Sequence, residues 1–224
     1  MNETLALICD CDGVLINSEA IAGAVLIREL ERRWPGLELT DVITPLLGVQ
    51  TERLLMAVAS EVGRTLSADD VAAIYGAAQR EAVMAPMVDG IAGALGKIPL
   101  VKACASNSTS SYVRAVLERT GLISFFSDRI FTADLVANPK PAPDVYLLTA
   151  STLGVSPENC LVIEDSVAGA TAAVAAGMTV YGFTGTTHVP VAHAGKLLAV
   201  GASRTFVRMS ELPELVVKWS AERE

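Results

Sequence analysis

The sequence predicts an α/β protein: a doubly wound parallel-sheet core of the Rossmann-like type, interrupted by an inserted helical cap subdomain. Three observations predict this fold. Short apolar runs alternate with helical patterns, as in a parallel sheet covered on both faces. This alternation stops between residues 18 and 86, where the pattern is helical throughout. With 224 residues, the chain is also long enough to bury a full core and a smaller second subdomain.

Four short apolar runs are predicted to be buried strands of the sheet. They extend from Leu5 to Cys9, from Leu100 to Ala105, from Cys160 to Ile163 and from Thr179 to Phe183. The clearest helices between them run from Ser110 to Arg119 and from Val167 to Ala176. Gly177 follows the second helix, at the position where glycine commonly ends a helix.

The inserted segment is predicted to contain three helices, Glu19 to Arg33, Thr51 to Val62 and Ala68 to Met84. Ser67 precedes the last of them and has Asp70 three residues on, the spacing of an N-terminal cap. Pro86 then prevents the helix from continuing. We therefore expect residues 17–86 to form the helical cap, and residues 1–16 and 87–224 to form the α/β core.

Composition excludes several classes of protein. The net charge is −8 and the longest basic cluster is Arg32-Arg33, so no nucleic-acid-binding surface is predicted. No uninterrupted apolar run reaches the length of a membrane span, and the run before Asp10 is too short for a signal peptide. A cytoplasmic protein with no membrane association is expected. Its four cysteines lie in or beside apolar runs, which favours buried, reduced thiols.

Polar residues follow the predicted strands at the points where each strand ends. Ligands of open α/β sheets bind beyond the carboxyl ends of the strands, so these residues are the candidates for a functional site. The groups are Asp10-Cys11-Asp12-Gly13, Ser106-Asn107-Ser108, Glu164-Asp165-Ser166 and the lysine loop Asn138-Pro139-Lys140-Pro141. Four carboxylates, hydroxyl and amide groups and one ammonium are the side chains that bind a divalent cation and a phosphate, and Mg²⁺ suits such hard oxygen ligands.

Each of these groups also has an ordinary structural explanation. Asp-x-Asp-Gly is often a turn, Ser-Asn a helix cap, a lysine between prolines a surface loop, and Glu-Asp-Ser the polar start of a helix. The occurrence of all four at the predicted carboxyl edge, in a chain with two histidines and no other polar cluster, favours a functional site.

Four stretches of the chain, "DCDGVLINSE", "ASNS", "KPAPDVYL" and "EDSVAGA", resemble the four motifs of the haloacid dehalogenase-like hydrolases. The resemblance covers nearly the whole chain and is to the β-phosphoglucomutase-like branch, in which a helical cap follows the first motif. It implies that Asp10 is a nucleophile that forms an aspartyl-phosphate and that Asp12 is the general acid and base.

The resemblance also implies how ligands are held. Mg²⁺ would be bound by Asp10, the backbone carbonyl of Asp12, and Asp165 with Glu164 beside it. The phosphoryl oxygens would be bound by Ser106, Asn107 and Lys140. Closure of the cap would exclude bulk water. Two positions depart from the common motif: Cys9 stands where phenylalanine is frequent and Asn17 where aspartate is frequent.

Asp12 bears on the type of reaction. Dehalogenases and phosphonate-cleaving relatives of this family lack that second aspartate, so phosphate ester chemistry is expected. The β-phosphoglucomutases carry a cap histidine twelve residues after the nucleophile, where this chain has Ala22, and an arginine where it has Thr51. We therefore expect a phosphatase, with a sugar phosphomutase as the alternative. The tail "GFTGTTHVPVAHAGKL" followed by "ELPELV" is similar to bacterial sugar-phosphate phosphatases, including 6-phosphogluconate phosphatases.

The expected substrate is a small phosphorylated sugar or sugar acid, and no obligate protein partner is predicted. Gln50 and Arg80 are the candidate substrate-binding residues of the cap. A solvated helix face paired with Glu81 or Gln79 is the simpler explanation of Arg80. His188, in the loop after the last predicted strand, is expected to be structural.

Two further classes of protein share features with this chain. A receiver-like signalling module also uses a phosphoacceptor aspartate with Mg²⁺, a hydroxyl residue and a Lys-Pro pair, but receivers are about half this length and place the acceptor on a middle strand. In this chain Asp10 follows the first strand and Lys140 precedes Glu164 and Asp165. A catalytically idle binding protein is not favoured, because every motif residue is present.

Overall fold

Six parallel strands form one sheet, which confirms the predicted fold class. The computed structural model describes residues 4–46, 51–186 and 192–223. The strands are β1 (Ala6–Cys9), β2 (Val101–Ser106), β3 (Ile130–Thr132), β4 (Cys160–Glu164), β5 (Thr179–Phe183) and β6 (Arg204–Phe206). Their order across the sheet is β3-β2-β1-β4-β5-β6.

Four helices lie in the inserted segment and seven in the rest of the described chain. The first four are α1 (Glu19–Arg33), α2 (Thr40–Ile43), α3 (Thr51–Glu61) and α4 (Ala68–Ala82). The others are α5 (Ile91–Lys97), α6 (Ser110–Thr120), α7 (Ile123–Phe126), α8 (Asp144–Leu153), α9 (Val167–Ala175), α10 (His193–Ala199) and α11 (Leu212–Ala221). Gly177, just beyond α9, has a φ of +82°, the left-handed conformation expected of a glycine at that position.

The central position of β1 determines where a ligand site can form. Cys9 is in register with Cys104 of β2 on one side and with Ile163 of β4 on the other, so the three strands end at nearly the same level. The chain continues from β1 through β2 to β3 on one side, and returns through β4 to β5 and β6 on the other. The carboxyl end of β1 is therefore the point where strand order reverses, the usual ligand site of open α/β sheets.

The chain separates into two compact units, Met1–Asn17 with Pro86–Glu224, and Ser18–Ala85. The first unit contains the sheet, and β1 and β4 are buried along their whole length because helices cover both faces. The second unit has its own apolar core, which includes Leu30, Leu55 and Ile74. Each unit thus has an apolar core of its own.

The predicted cap of α4 is confirmed. The Ser67 hydroxyl accepts a hydrogen bond from the Asp70 backbone N–H at 3.1 Å, and the Asp70 carboxylate accepts one from the Ser67 N–H at 3.1 Å. Asp70 also forms an ion pair with Arg33 of α1, with 2.8 Å between Nη2 and Oδ1. The Ser67 hydroxyl also donates to Asp70 Oδ2 at 2.7 Å. The contacts to the Asp70 carboxylate lower its pKa to about 2, the Ser67 hydroxyl contributing most.

The chain passes between the two units twice, and a short antiparallel β-ribbon links these two connecting segments. The Asn17 backbone N–H donates to the Pro86 carbonyl at 2.9 Å, and the Val88 N–H donates to the Leu15 carbonyl at 3.0 Å. Ile16 and Met87 form an antiparallel bridge between these two bonds. The ends of the inserted segment are thus fixed next to each other on the first unit.

Two strands were not predicted from the sequence, β3 and β6. Each has three residues at an edge of the sheet, too few for an apolar pattern to be recognised. All four cysteines are buried and free of disulfides, as predicted. Over the described ranges, we found no helix with both the length and the apolar character needed to cross a bilayer.

Candidate active site

A buried ion triad lies at the carboxyl end of β1. Asp10 directly follows β1, Glu164 ends β4, and Lys140 lies in the loop between β3 and α8. The Lys140 ammonium donates to Asp10 Oδ1 at 2.7 Å, to Glu164 Oε1 at 2.6 Å and to the Ala105 carbonyl at 2.8 Å. All three hydrogens of the ammonium therefore have a partner, and the lysine fixes the two carboxylates relative to each other.

Glu164 accepts further hydrogen bonds from the protein. The Tyr146 hydroxyl donates to its Oε1 at 2.8 Å, while the Ser166 backbone N–H and hydroxyl donate to its Oε2 at 3.1 and 3.0 Å. Together with the Lys140 ammonium, four donors thus hydrogen-bond to the two oxygens of this carboxylate, which is completely buried. A carboxylate has about four acceptor positions, so Glu164 is saturated by protein groups.

Asp165 completes a cluster of three carboxylates. Oxygen atoms of Asp10, Glu164 and Asp165 lie within 4.8 Å of one another, and no other group of this kind occurs among residues 4–46, 51–186 and 192–223. The Asp165 carboxylate packs directly against Gly13, whose φ is +82°. The His193 Nε2 contacts the backbone carbonyl of Asp165 at 2.5 Å.

The electrostatics of the cluster fit a divalent cation. Three carboxylates face one ammonium, so the buried charges do not balance when all are ionised. Burial raises the pKa of Asp10 to about 8, Glu164 and Asp12 add to the rise, and Lys140 opposes it. Although burial alone would lower the pKa of Lys140, Asp10 and Glu164 raise it above its usual value, so the lysine stays charged. A hard cation bound by the oxygens would neutralise the excess negative charge.

Asp12 lies beside this cluster and is held from a different element. The Tyr112 hydroxyl donates to its Oδ1 at 2.8 Å and the Ser108 hydroxyl to its Oδ2 at 2.9 Å. Ser108 precedes α6 and Tyr112 is in its first turn. The two aspartates, separated by one residue, thus have different partners: an ammonium for Asp10 and two hydroxyls for Asp12.

Ser106, the last residue of β2, and Asn107 lie at the same carboxyl edge of the sheet. The side-chain amide of Asn107 bonds the backbone of Lys140 twice, accepting from its N–H at 2.8 Å and donating to its carbonyl at 3.0 Å. Asn107 therefore fixes the lysine loop. The buried Ser106 hydroxyl accepts from the Ser108 N–H at 3.0 Å, and its own hydrogen can be donated to a ligand.

The remaining candidates are Gln50 and Arg80 of the cap, and His188, which is expected to be structural, in the loop after the last predicted strand. Gln50 and His188 lie outside the described residues. Arg80 is exposed on α4. Of the two partners suggested by the sequence, Glu81 forms a two-pronged ion pair with Arg28 and feels Arg80 only as a smaller electrostatic contribution, while Gln79 donates to Tyr75. A role for Gln50 or Arg80 in substrate binding stays a prediction.

Sequence reasoning missed three residues of this region: Tyr112, Tyr146 and His193. Ser166 stood in the candidate group Glu164-Asp165-Ser166 without a role of its own, and its hydroxyl also accepts from the Gly169 N–H at 2.9 Å to begin α9. The two tyrosines lie on helices at positions that read as ordinary core residues. Neither position shows in the sequence that the hydroxyl reaches a carboxylate.

The contact between Gly13 and Asp165 predicts the effect of a single methyl group. A Cβ at Gly13 would lie 1.8 Å from Asp165 Oδ2, so Gly13→Ala must displace the carboxylate. We expect turnover in Mg²⁺ to fall by about 10- to 100-fold, together with Mg²⁺ affinity measured by calorimetry. Gly121→Ala is the matched control: its φ is +74° but nothing lies within 4 Å of its Cβ, so it should lose stability and keep activity. Equal activity in the two variants would contradict the prediction.

The chain belongs to the haloacid dehalogenase-like hydrolases, whose family model matches residues 4–177. Among curated proteins it is similar to the 6-phosphogluconate phosphatase of Escherichia coli strain K12, with 27% identity over 99% of this chain and 97% of that protein. The fold is shared by a haloacid dehalogenase-like protein of unknown function from Agrobacterium tumefaciens, with 34% identity, a TM-score of 0.84 and coverage of 96% and 98% of the two chains. A family hydrolase from Deinococcus radiodurans, solved with bound phosphate and sodium, has 28% identity, a TM-score of 0.79 and coverage of 98% and 97%.

Proposed function

We propose that the protein is a Mg²⁺-dependent phosphatase that hydrolyses a small sugar or sugar-acid phosphate through an aspartyl-phosphate intermediate. The observation that carries the proposal is the buried Asp10–Lys140–Glu164 triad with Asp165 beside it at the end of β1. A carboxylate with one oxygen held by an ammonium has a fixed orientation, and its other oxygen can attack phosphorus. Once a cation neutralises the excess negative charge of the cluster, this carboxyl group would be ionised at neutral pH and would need no activating base.

In the first half of the reaction, an Asp10 oxygen forms a bond to phosphorus while the bond from phosphorus to the sugar oxygen breaks. Asp12 gives its proton to the departing oxygen. In the second half, water attacks phosphorus, Asp12 takes the proton from that water, and the bond to Asp10 breaks to release inorganic phosphate. The separate partners of Asp10 and Asp12 support this division of roles, because each carboxylate is oriented independently.

Asp10, Asp165 and the backbone carbonyl of Asp12 would hold Mg²⁺. The bound cation would neutralise negative charge on the transferred phosphoryl group. We assign Glu164 a different role, because four protein donors already occupy its oxygens: it holds Lys140 in place. Ser106 would donate to a phosphoryl oxygen. Lys140, whose three hydrogens already have protein partners, would stabilise the phosphoryl group by its positive charge, and Asn107 would support it by fixing the lysine loop.

The substrate class rests on two arguments. The relative from E. coli, which aligns over nearly the whole chain, is a phosphatase of a sugar-acid phosphate by its name. Ala22 also stands on α1 where phosphomutases of the family carry a histidine that holds back hydrolysis, so an aspartyl-phosphate should be open to water. The unit Ser18–Ala85 would select the substrate. We expect the enzyme to act in the cytoplasm on free small molecules, without nucleic acid, membrane or an obligate protein partner.

A phosphate-release screen tests this function. Purified protein is incubated with sugar, sugar-acid and polyol phosphates, with nucleoside monophosphates as a comparison class, in Mg²⁺ and in EDTA. We expect multiple turnover on at least one sugar or sugar-acid phosphate, lost in EDTA and restored by Mg²⁺. Interconversion of hexose phosphates faster than phosphate release would instead show a mutase. One stable phosphate per chain without turnover would show a receiver-like module.

A further inference from the structure

Tyr112 directs a buried hydroxyl at Asp12. Its side chain is 6% exposed and is the third residue of α6, and its hydroxyl lies 2.8 Å from Asp12 Oδ1. Ser108, two residues before α6, donates to the other oxygen, Oδ2, at 2.9 Å. Two donors on two different oxygens of one carboxylate fix both the direction and the plane of the group.

The backbone of Asp12 is fixed separately. It lies in a tight turn in which the Gly13 N–H donates to the Ile16 carbonyl at 2.8 Å and the Leu15 N–H donates to the Cys11 carbonyl at 2.9 Å. The turn therefore sets the position of the Asp12 Cα, and Tyr112 and Ser108 set where its carboxylate points. Phenylalanine would fill the same space as Tyr112, so packing alone does not call for the hydroxyl.

We propose that Tyr112, supported by Ser108, is a positioning residue that holds the Asp12 carboxylate in the orientation needed for proton transfer. This inference rests on the proposed function, because it presumes that Asp12 serves as acid and base. A general acid or base acts efficiently only within hydrogen-bond reach of the proton it transfers. Loss of the hydroxyl should therefore slow the proton-transfer steps, with little effect on substrate binding or on the attack by Asp10.

Tyr112→Phe removes only the hydroxyl and is the variant to test. On the best alkyl phosphate from the screen, kcat should fall roughly 10-fold while KM changes by less than about 2-fold. On p-nitrophenyl phosphate, whose leaving group needs no proton, the first step should keep its rate. The variant should therefore release a burst of about one p-nitrophenolate per chain, followed by slow turnover, because the attack of water still needs Asp12.

Two further variants make the test specific. Tyr181→Phe removes a hydroxyl from another buried tyrosine, in β5, and should change none of these rates. Ser108→Ala should show the same changes in kcat, KM and burst as Tyr112→Phe. In the double variant, the fold-loss of kcat should be smaller than the product of the two single losses, because both residues act on one carboxylate. Ser108 is only half-buried, so Ser108→Ala should disturb folding little. It therefore tests the inference even if Tyr112→Phe folds poorly.

Wild-type kcat in Tyr112→Phe would overturn the inference while leaving the phosphatase intact. A first step on p-nitrophenyl phosphate that is slowed as much as turnover of the alkyl phosphate, with no burst and a raised KM, would also overturn it. Absence of turnover by the wild-type protein on every phosphate ester would instead overturn the proposed function itself. The two failures are distinguishable because the first is a comparison between variants of an active enzyme.

Discussion

Asp10→Asn is expected to reduce phosphate release by at least about 10⁴-fold on any substrate that the wild-type protein hydrolyses. The amide has the shape of the carboxylate and can still accept a hydrogen bond from Lys140, but its oxygen carries no negative charge for attack on phosphorus. No phosphorylated enzyme should form. The measurements are initial rates with Mg²⁺, and rapid quenching followed by intact-mass detection of one added phosphoryl group.

Stability separates this loss from misfolding. Burial raises the pKa of the Asp10 carboxyl to about 8, whereas in the unfolded chain it titrates near ~4. A raised pKa in the folded state means that ionisation costs stability as the pH rises through this window, with the full cost above about 8. Asp10→Asn carries no such charge, so in EDTA at pH 8 it should unfold at the same or a higher denaturant concentration than the wild type.

The control for Asp10→Asn is the same substitution at Asp128, whose side chain is 98% exposed. Asp128→Asn should leave both rate and stability unchanged. Wild-type turnover in Asp10→Asn would show that the nucleophile has been assigned to the wrong residue. A variant that is both inactive and unfolded would contradict the electrostatic account of the buried cluster.

Lys140→Met is expected to lower the free energy of unfolding by about 3–5 kcal/mol in EDTA at pH 8 and to abolish turnover. The substitution keeps an unbranched side chain but removes the one ammonium that pairs with both Asp10 and Glu164. Two buried carboxylates then face each other without compensation. Turnover is lost because the ammonium also holds the Asp10 carboxylate for attack and would stabilise phosphoryl charge.

The stability loss in Lys140→Met should depend on pH. Lys140 lowers the pKa of Asp10, so its removal raises that pKa further. The wild-type lysine stays charged across pH 5–8, because its own pKa is raised. Below about pH 8 the Asp10 carboxyl holds its proton in both folded proteins, so the difference in stability should be nearly constant from pH 5 to 7. It should grow as the pH rises through 8, where the wild-type carboxyl ionises beside Lys140 and the carboxyl of the variant does not. Denaturant titrations at several pH values measure it.

Glu164→Gln combined with Lys140→Met should restore part of the lost stability, because one of the two facing carboxylates is then neutral. Lys196→Met, on an exposed position of α10, is the control for the loss of a lysine and should have little effect. If Lys140→Met were as stable as the control at pH 8, the triad would not contribute to folding in the way that its distances indicate.

The sequence predicted the parts of the fold that are long and apolar, such as β1 and β4, because burial on both faces leaves a continuous apolar run. The short edge strands β3 and β6 have no such signal, and only pairing with β2 and β5 defines them. The register between neighbouring strands also could not be predicted from the sequence. The level ends of β1, β2 and β4, which bring the polar groups together, follow from backbone pairing across the sheet.

Within the site, the sequence predicted the residues that follow strands, but not the groups that hold them. Asp10, Lys140 and Glu164 stand in recognisable motifs. Tyr112 and Tyr146 occupy core faces of α6 and α8, and the direction of a hydroxyl depends on helix rotation by a few tens of degrees, which apolar periodicity does not define. The dense hydrogen bonding of Glu164 was for the same reason not predictable.

The β-ribbon that links the two connecting segments makes the inserted segment exchangeable in principle. The hydrogen bond between Asn17 and Pro86 holds the two ends of residues 18–85 a fixed distance apart. For the sheet, this segment is therefore equivalent to a closed loop. The entropy of closing such a loop grows only slowly with its length. A segment of another size or sequence grafted at the same two points would leave the geometry at the end of β1 intact. The same chemistry could in this way be combined with many different recognition surfaces.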